Sequence, residues 1–594
     1  MLPDNHRAPV APRPLQKTSR WKYSALSAVV VMCLLLPFAL PSKGQEATTS
    51  ISSAVPSDCP GSCTLTDAAI FAWQEFIALN WPADLGGSGV PRRGVPSQQS
   101  FGTPNVPLVW HTFAGKVEIF PGQGEAQPFN SPPSYRYSSG IGPCSGHPSA
   151  QPAWINLDET TQIGSNKMYA GILSNYQPQV VNSEPKLIRF MAKVNEQEYS
   201  YIKRRGWDTG GVSLFEKEIT TNEILHNMKD PPADNSIFVS FPFGSIEVKA
   251  AFRPLSPSED PKRFYRTRVR YYEPRGSGQC YVEDDWALVG LHIIQKTPKS
   301  PAFIYATFEQ ADNIVDRSGK PTEDPNGEVI IANNGASTFP ALSFKDSNRP
   351  YANPAVYPMV STNPPGQGSC PESVNGKLLY YTELGPYVPP ISICQVARNR
   401  GIPAEIVNAN NSMHGAINRY LQHAGLADAP WRYYKLINVQ TVPIDKFATT
   451  QPGQTYQGRD AATYYQANAV VETDYALQNF STAFFMNFAA GPSAKFGPPT
   501  DFQVANPSRP PTTPSVAPPF YNTYFEGQKY GMGGCMGCHG SAQVKGTDFS
   551  FITLLAGHRP LAPETPSEES LRTTQELYRK VFGHALPEGE SKSH

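Results

Sequence analysis

Apolar and polar positions change period along this chain, and the changes mark its elements. Ile70, Trp73, Phe76, Ile77 and Trp81 recur at helical spacing, with Thr66-Asp67 as a start and Pro82 as a stop. That stretch predicts an amphipathic helix packed on a core. From 83 to 240, Pro, Gly, Ser and Asn break the pattern into short strands and loops, such as 108–113 and 186–194. One helical piece is expected around 215–228.

Alternation then takes over. Residues 245–252 (SIEVKAAF) read as a strand, and 264–272 alternate charged with apolar or aromatic positions. Residues 286–295 (WALVGLHIIQ) and 303–310 (FIYATFEQ) are joined by the turn-rich KTPKSP, which predicts a β-hairpin. Pairing about the centre of that link sets His292 opposite Tyr305. His292, Tyr305, Thr307 and Glu309 then share one face, with Asp312 and Asn313 just beyond the strand. A histidine beside a carboxylate is a general-base or metal-site arrangement. No nucleophile or second ligand accompanies it in the neighbouring sequence, so a hydrogen-bonded structural face under loops is the stronger expectation.

Further on, Ser412 reads as the cap of a helix over 413–424, closed by Gly425, and 431–439 reads as a strand. Residues 467–473 (ANAVVET) open a segment running to 480. Thr565-Pro566-Ser567-Glu568 is a capping box with proline at the first helical position. Leu571, Leu577, Tyr578 and Val581 give the helix after it an apolar face, Arg579 and Lys580 suit its end, and Gly583 closes it.

The chemistry concentrates in Cys535-Met536-Gly537-Cys538-His539, a C-x-x-C-H run. Two thiols at this spacing reach the two vinyl groups of one porphyrin, and the next residue, a histidine, binds its iron. A zinc site would want a second C-x-x-C or an H-x-H partner nearby, and a redox dithiol would open a helix in a βαβ pattern. Neither context is present, so Cys535, Cys538 and His539 are assigned to one covalent haem c. The aromatics Tyr521, Tyr524, Phe525 and Tyr530 precede the run, where they can pack on porphyrin.

The N-terminus fits haem attachment after export. Arg7, Arg13, Lys17, Arg20 and Lys22 precede an apolar run from 25 to 40 and a polar end at 42–47, which reads as a signal peptide. The alternative is an uncleaved anchor, the one way this chain would hold a membrane, but the run is short for a span and contains Pro37. Periplasmic or otherwise exported localisation follows. Cys33 leaves with the signal, and the remaining Cys59, Cys63, Cys144, Cys280, Cys370 and Cys394 allow up to three disulfides. Short loops close most easily, which favours Cys59–Cys63 and Cys370–Cys394.

Lys plus Arg and Asp plus Glu both total 50, which argues against a nucleic-acid partner. Proline is frequent (60 of 594), yet aromatic content is 11%, so the body is expected to fold and to be rich in loops. The expected class is α+β: a large β-rich, loop-rich body with a few helices, plus a small all-α cytochrome c-like module at the C-terminus. The expected boundaries are a signal at 1–47, a first lobe at 48–346, a Pro/Gly-rich boundary or insertion at 347–377 and a second lobe at 378–490. A Pro-rich linker at 491–520 then leads to the haem module at 521–594.

The sixth iron ligand departs from small cytochromes c, because no methionine follows Met536. His558, after the apolar run 549–555 and Gly557, is the preferred donor. Met413, Met486 and Met532, or an open position, are the alternatives.

Three stretches resemble exported bacterial mono-haem "cytochrome c family" proteins of largely uncharacterised function. They are SIEVKAAF (245–252), GLHIIQKTPKSPAFIYATFEQADN (290–313) and CMGCHGSAQVKGTDFSFI (535–552), with 468–473 a weaker fourth. The usual pattern has Trp where this chain has Phe252 and His where it has Gln310. The resemblance implies an exported haem protein with Cys535 and Cys538 as thioether sites and His539 as proximal ligand. It supplies no substrate. The expected function is electron transfer with a redox partner protein. The alternatives are a haem-dependent oxidoreductase whose body binds a substrate, and a non-enzymatic binding body that carries a haem.

Overall fold

The computed structural model describes residues 50–159 apart from short gaps, 186–211, 239–313 with one gap, most of 321–330, and 402–441. It also describes the short strands named below, Asn468, Val471, Cys535, His539, 548–553 and 562–565. The signal at 1–47, the helical piece at 215–228, the linker at 491–520, Cys538, His558 and the helix after 565 lie outside the described residues.

An eight-stranded sheet organises the body. Its strands are β1 (Ala114–Gly115), β2 (Ile155–Leu157), β3 (Arg189–Val194), β4 (Ile246–Arg253), β5 (Arg266–Arg275), β6 (Gly278–Gln295), β7 (Ile304–Gln310) and β8 (Tyr434–Gln440). The order is β1-β3-β4-β6-β7-β8, with β5 pairing β6 and β2 joining β5 in parallel. β6 is the spine. Residues 278–287 pair β5, and the rest lies between β4 and β7. That second part, 286–295, is buried on both faces, which explains its near-continuous apolar sequence. β8 comes from the expected second lobe, yet it pairs with β7 of the first.

The helices are α1 (Leu65–Leu79), α2 (Lys116–Ile119), α3 (Glu196–Arg204) and α4 (Ala404–His423). α1 begins at Thr64, two residues earlier than expected, because Thr64 and Asp67 form the capping box. α4 begins well before Ser412. Its Asn410 is fully buried and accepts from Trp73 Nε1 at 2.8 Å and Leu436 N at 3.1 Å. These tertiary partners satisfy a polar residue that would otherwise compete with the helix. Residues 430–433 form a 3₁₀ turn, so the strand expected from Trp431 starts at Tyr434.

The sheet has two covered faces. On one, Val248, Ala250, Leu291, Ile293, Ile304 and Phe308 pack with Trp73 and Phe76 of α1 and with Met413 of α4. Trp73 meets Phe76 and Phe308 edge-on at 5.2 and 5.1 Å, a geometry worth about 0.5–1.5 kcal/mol per pair beyond burial. On the other, Val194, Ile294 and Tyr305 pack with Tyr201, Trp207, Phe241, Phe549 and Ile552.

Cys59–Cys63 is bridged as expected, and Cys144–Cys280 is a second bridge the sequence did not single out. The side chains of Cys370 and Cys394 lie outside the described residues. A four-stranded sheet joins Val360–Thr362, Ile391–Gln395, Leu378–Tyr381 and Met168–Tyr169. A β-hairpin, Asn522–Phe525 with Gln528–Gly531, precedes Cys535 and opens the stretch 521–594 that was expected to be all-α, so its first part is β instead. Among the described residues, no helix is long and apolar enough to cross a membrane.

Candidate functional site

The hairpin register differs from symmetric pairing. Thr297 and Ser300 do close the turn about its centre, each donating its N–H to the other's carbonyl. Phe303 then adopts a left-handed backbone, with φ of 68°, and Pro301–Phe303 forms an irregular step before β7 begins. The outcome is a slip of two residues: His292 faces Thr307, and Tyr305 faces Ile294. A slip of two keeps every side chain on its face, so His292, Tyr305, Thr307 and Glu309 still share one side.

Two polar rows cross the sheet there. Lys249, His292, Thr307 and Asn438 align across β4, β6, β7 and β8, and Glu247, Ile294, Tyr305 and Gln440 form the adjoining row. The segment after the C-x-x-C-H run packs on this face. Asp548 forms a buried ion pair with Lys296 at 2.5 Å and accepts from Phe241 N at 3.1 Å. Lys296 also donates to Ser240 Oγ at 2.9 Å. Phe549 and Ile552 insert into the apolar cluster around Ile294 and Tyr305, and Cys535 packs against the same cluster.

His539 is held by that segment. Cys535 and His539 are both helical and four residues apart, so they lie on one side of a turn. His539 Nδ1 lies 2.9 Å from the Phe549 carbonyl. A carbonyl can only accept, so Nδ1 carries the proton and the neutral ring's lone pair sits on Nε2, the nitrogen left for a metal. The ring lies between Tyr305 and Phe551, with centroids at 4.8 and 4.7 Å. Burial, with the Lys249 charge adding to it, pushes the imidazole down to about 3 against the hydrogen bond to the Phe549 carbonyl, so it stays neutral. Tyr305 Oη donates to the same Phe549 carbonyl at 2.8 Å.

The fourth stretch reaches the same face. Asn468 Nδ2 donates to Thr307 Oγ1 at 2.9 Å and to the Phe308 carbonyl at 3.0 Å, and Asn468 Oδ1 accepts from Val471 N. The four stretches singled out in the sequence therefore meet at one place.

Two carboxyls that sequence reasoning passed over also lie here. Glu198 of α3 and Glu247 of β4 are both buried, and the Glu247 carboxyl acts electrostatically on Glu198. Burial, reinforced by Glu247 and Asp548, holds Glu198 well above the carboxylate range. Burial raises Glu247 to about 7. Both carboxyls therefore keep their protons to higher pH than a free carboxylate. Glu247 stood inside the quoted strand, where a carboxylate in an otherwise apolar run was its signal.

Of the candidate sixth ligands, Met413 is excluded: it is fully buried in the core on the opposite face of the sheet. Met486, Met532 and His558 lie outside the described residues. Among the described residues, no group of three or more His, Cys, Asp or Glu is placed to hold a bare metal ion. No family model, no curated protein and no solved structure matches the chain.

Proposed function

We propose that this chain is an exported mono-haem c-type cytochrome that passes single electrons to or from a redox partner protein. The observation that carries the reading is the C-x-x-C-H run whose histidine donates through Nδ1 to a backbone carbonyl, leaving Nε2 for a metal. The residues fit the group. Cys535 and His539 flank one turn, and Tyr305, Phe549 and Phe551 give it an apolar, aromatic wall. Bound there, haem supplies an Fe(III)/Fe(II) couple. The chain's own residues hold the imidazole neutral, fix its orientation and anchor the motif to a rigid sheet.

The finer parts of this reading are a helical module beyond the hairpin, supported by the capping box at 565–568, and His558 as sixth ligand. A cleaved N-terminal signal and a periplasmic location complete it. The test is the absorption spectrum of protein matured in a host that attaches haem. Sharp low-spin bands that do not respond to CO support electron transfer. A high-spin spectrum that binds CO readily would move the reading toward an enzyme.

One observation favours that second reading, a haem-dependent oxidoreductase. Asn438 is 1% exposed, and its side-chain amide has no hydrogen-bond partner among the described residues. It continues the row Lys249, His292, Thr307 beside His539, where a small polar substrate would find donors and acceptors.

A further inference from the structure

The Phe549 carbonyl accepts two hydrogen bonds, from His539 Nδ1 at 2.9 Å and from Tyr305 Oη at 2.8 Å. A carbonyl oxygen has two lone pairs, so this acceptor is filled. The two donors come from different parts of the fold. His539 belongs to the haem run, and Tyr305 to β7 of the sheet. Their rings also meet, with centroids 4.8 Å apart and planes at 56°.

Resting on the haem reading, we propose that Tyr305 is a positioning residue that sets the electron-donating strength of the His539 ligand. A hydrogen bond from Nδ1 makes an imidazole a better donor, and the better donor favours Fe(III). By taking a share of the Phe549 carbonyl, the Tyr305 hydroxyl weakens that bond and keeps the imidazole less basic. The ring contact limits rotation about the Nδ1 bond. The sheet thus adjusts the iron through one hydroxyl, without touching it. Of the neighbouring charges, Lys296 is paired with Asp548, and Lys249 and His292 act on the His539 ring through space.

Tyr305→Phe keeps the ring and deletes only the hydroxyl. In haem-loaded protein it should leave the covalent haem stain intact and shift the Fe(III)/Fe(II) ratio at fixed potential toward Fe(III). The shift should be up to about tenfold, which is about 59 mV for one electron. The His539 Nδ1 proton resonance of the diamagnetic reduced form should move downfield as its bond strengthens. Replacing Tyr305 with a ring-fluorinated tyrosine, a stronger donor that leaves packing nearly unchanged, should move both readouts the opposite way. This variant decides the question if Tyr305→Phe folds poorly. Unchanged potential and resonance in haem-loaded variants overturn the proposal alone. A wild-type protein without covalent haem overturns the underlying reading, and this proposal with it.

Discussion

Lys296 and Asp548 meet at 2.5 Å in the interior, 252 residues apart in sequence. Lys296 ends the β6 edge of the hairpin turn, and Asp548 lies nine residues after His539. The pair ties the sheet to the segment that holds the histidine. Both side chains are almost fully buried, so neither charge has water to fall back on.

Asp548→Asn should therefore destabilise the protein by about 3–5 kcal/mol, because the Lys296 ammonium is left buried without its countercharge. Denaturant unfolding reads this directly. The double variant Lys296→Met with Asp548→Leu should recover much of the loss. A single variant that unfolds at the wild-type midpoint would show that the anchor lies elsewhere.

The Glu198–Glu247 pair gives a pH dependence of definite sign. Both carboxyls bind protons more tightly folded than unfolded, because burial raises them from 4.5, Glu247 to about 7. This stabilising contribution is complete below the unfolded value and is lost as pH rises through about 7. Burial lowers His111, His414 and His539 and so tilts the total the other way; the contribution of Glu247 is read as the difference in unfolding free energy between wild type and Glu247→Gln, which should fall from pH 5 to pH 8. A difference between the two proteins that stays flat or rises over this window would contradict the raised Glu247.

The two disulfides should differ in worth. Cys144–Cys280 closes a loop with a sequence separation of 136, and Cys59–Cys63 one of four. On the chain-entropy account the long loop contributes about 4–5 kcal/mol. Cys144→Ala with Cys280→Ala should lower the thermal midpoint far more than the equivalent change at Cys59 and Cys63. Equal losses would point to strain or residual structure instead.

His292 is buried in the row beneath the C-x-x-C-H run, paired across the strands with Lys249 and Thr307. If electron transfer is the function, His292→Ala should reduce stability and leave the haem stain in place. Loss of a turnover or of a bound metal in a well-folded variant would instead favour the enzyme reading.

Much of this was legible in the chain. The β-type runs at 245–252, 286–295 and 303–310 lie in strands of the structure, Ser245 and Phe303 excepted, and the helical run after Thr64 is α1. The hairpin register was not legible, because it depends on Phe303 adopting a left-handed backbone that no local propensity announces for a phenylalanine. The start of α4 was missed because Asn408, Asn410, Asn411 and Ser412 look like breakers; the bonds from Asn410 to Trp73 and Leu436 are tertiary facts. His292 and the C-x-x-C-H run were both noticed, but their meeting was not foreseeable. Packing across more than 230 residues brings Tyr305 to Phe549 and His539, and no spacing rule encodes it.

The central claim is that this site holds haem through Cys535 and Cys538. The direct measurement is a haem stain after denaturing electrophoresis of protein matured with haem-attachment machinery. The account predicts a stained band at the protein's own mobility, lost when Cys535→Ala and Cys538→Ala are combined. An unstained wild-type band, or equal staining of the double variant, would contradict it.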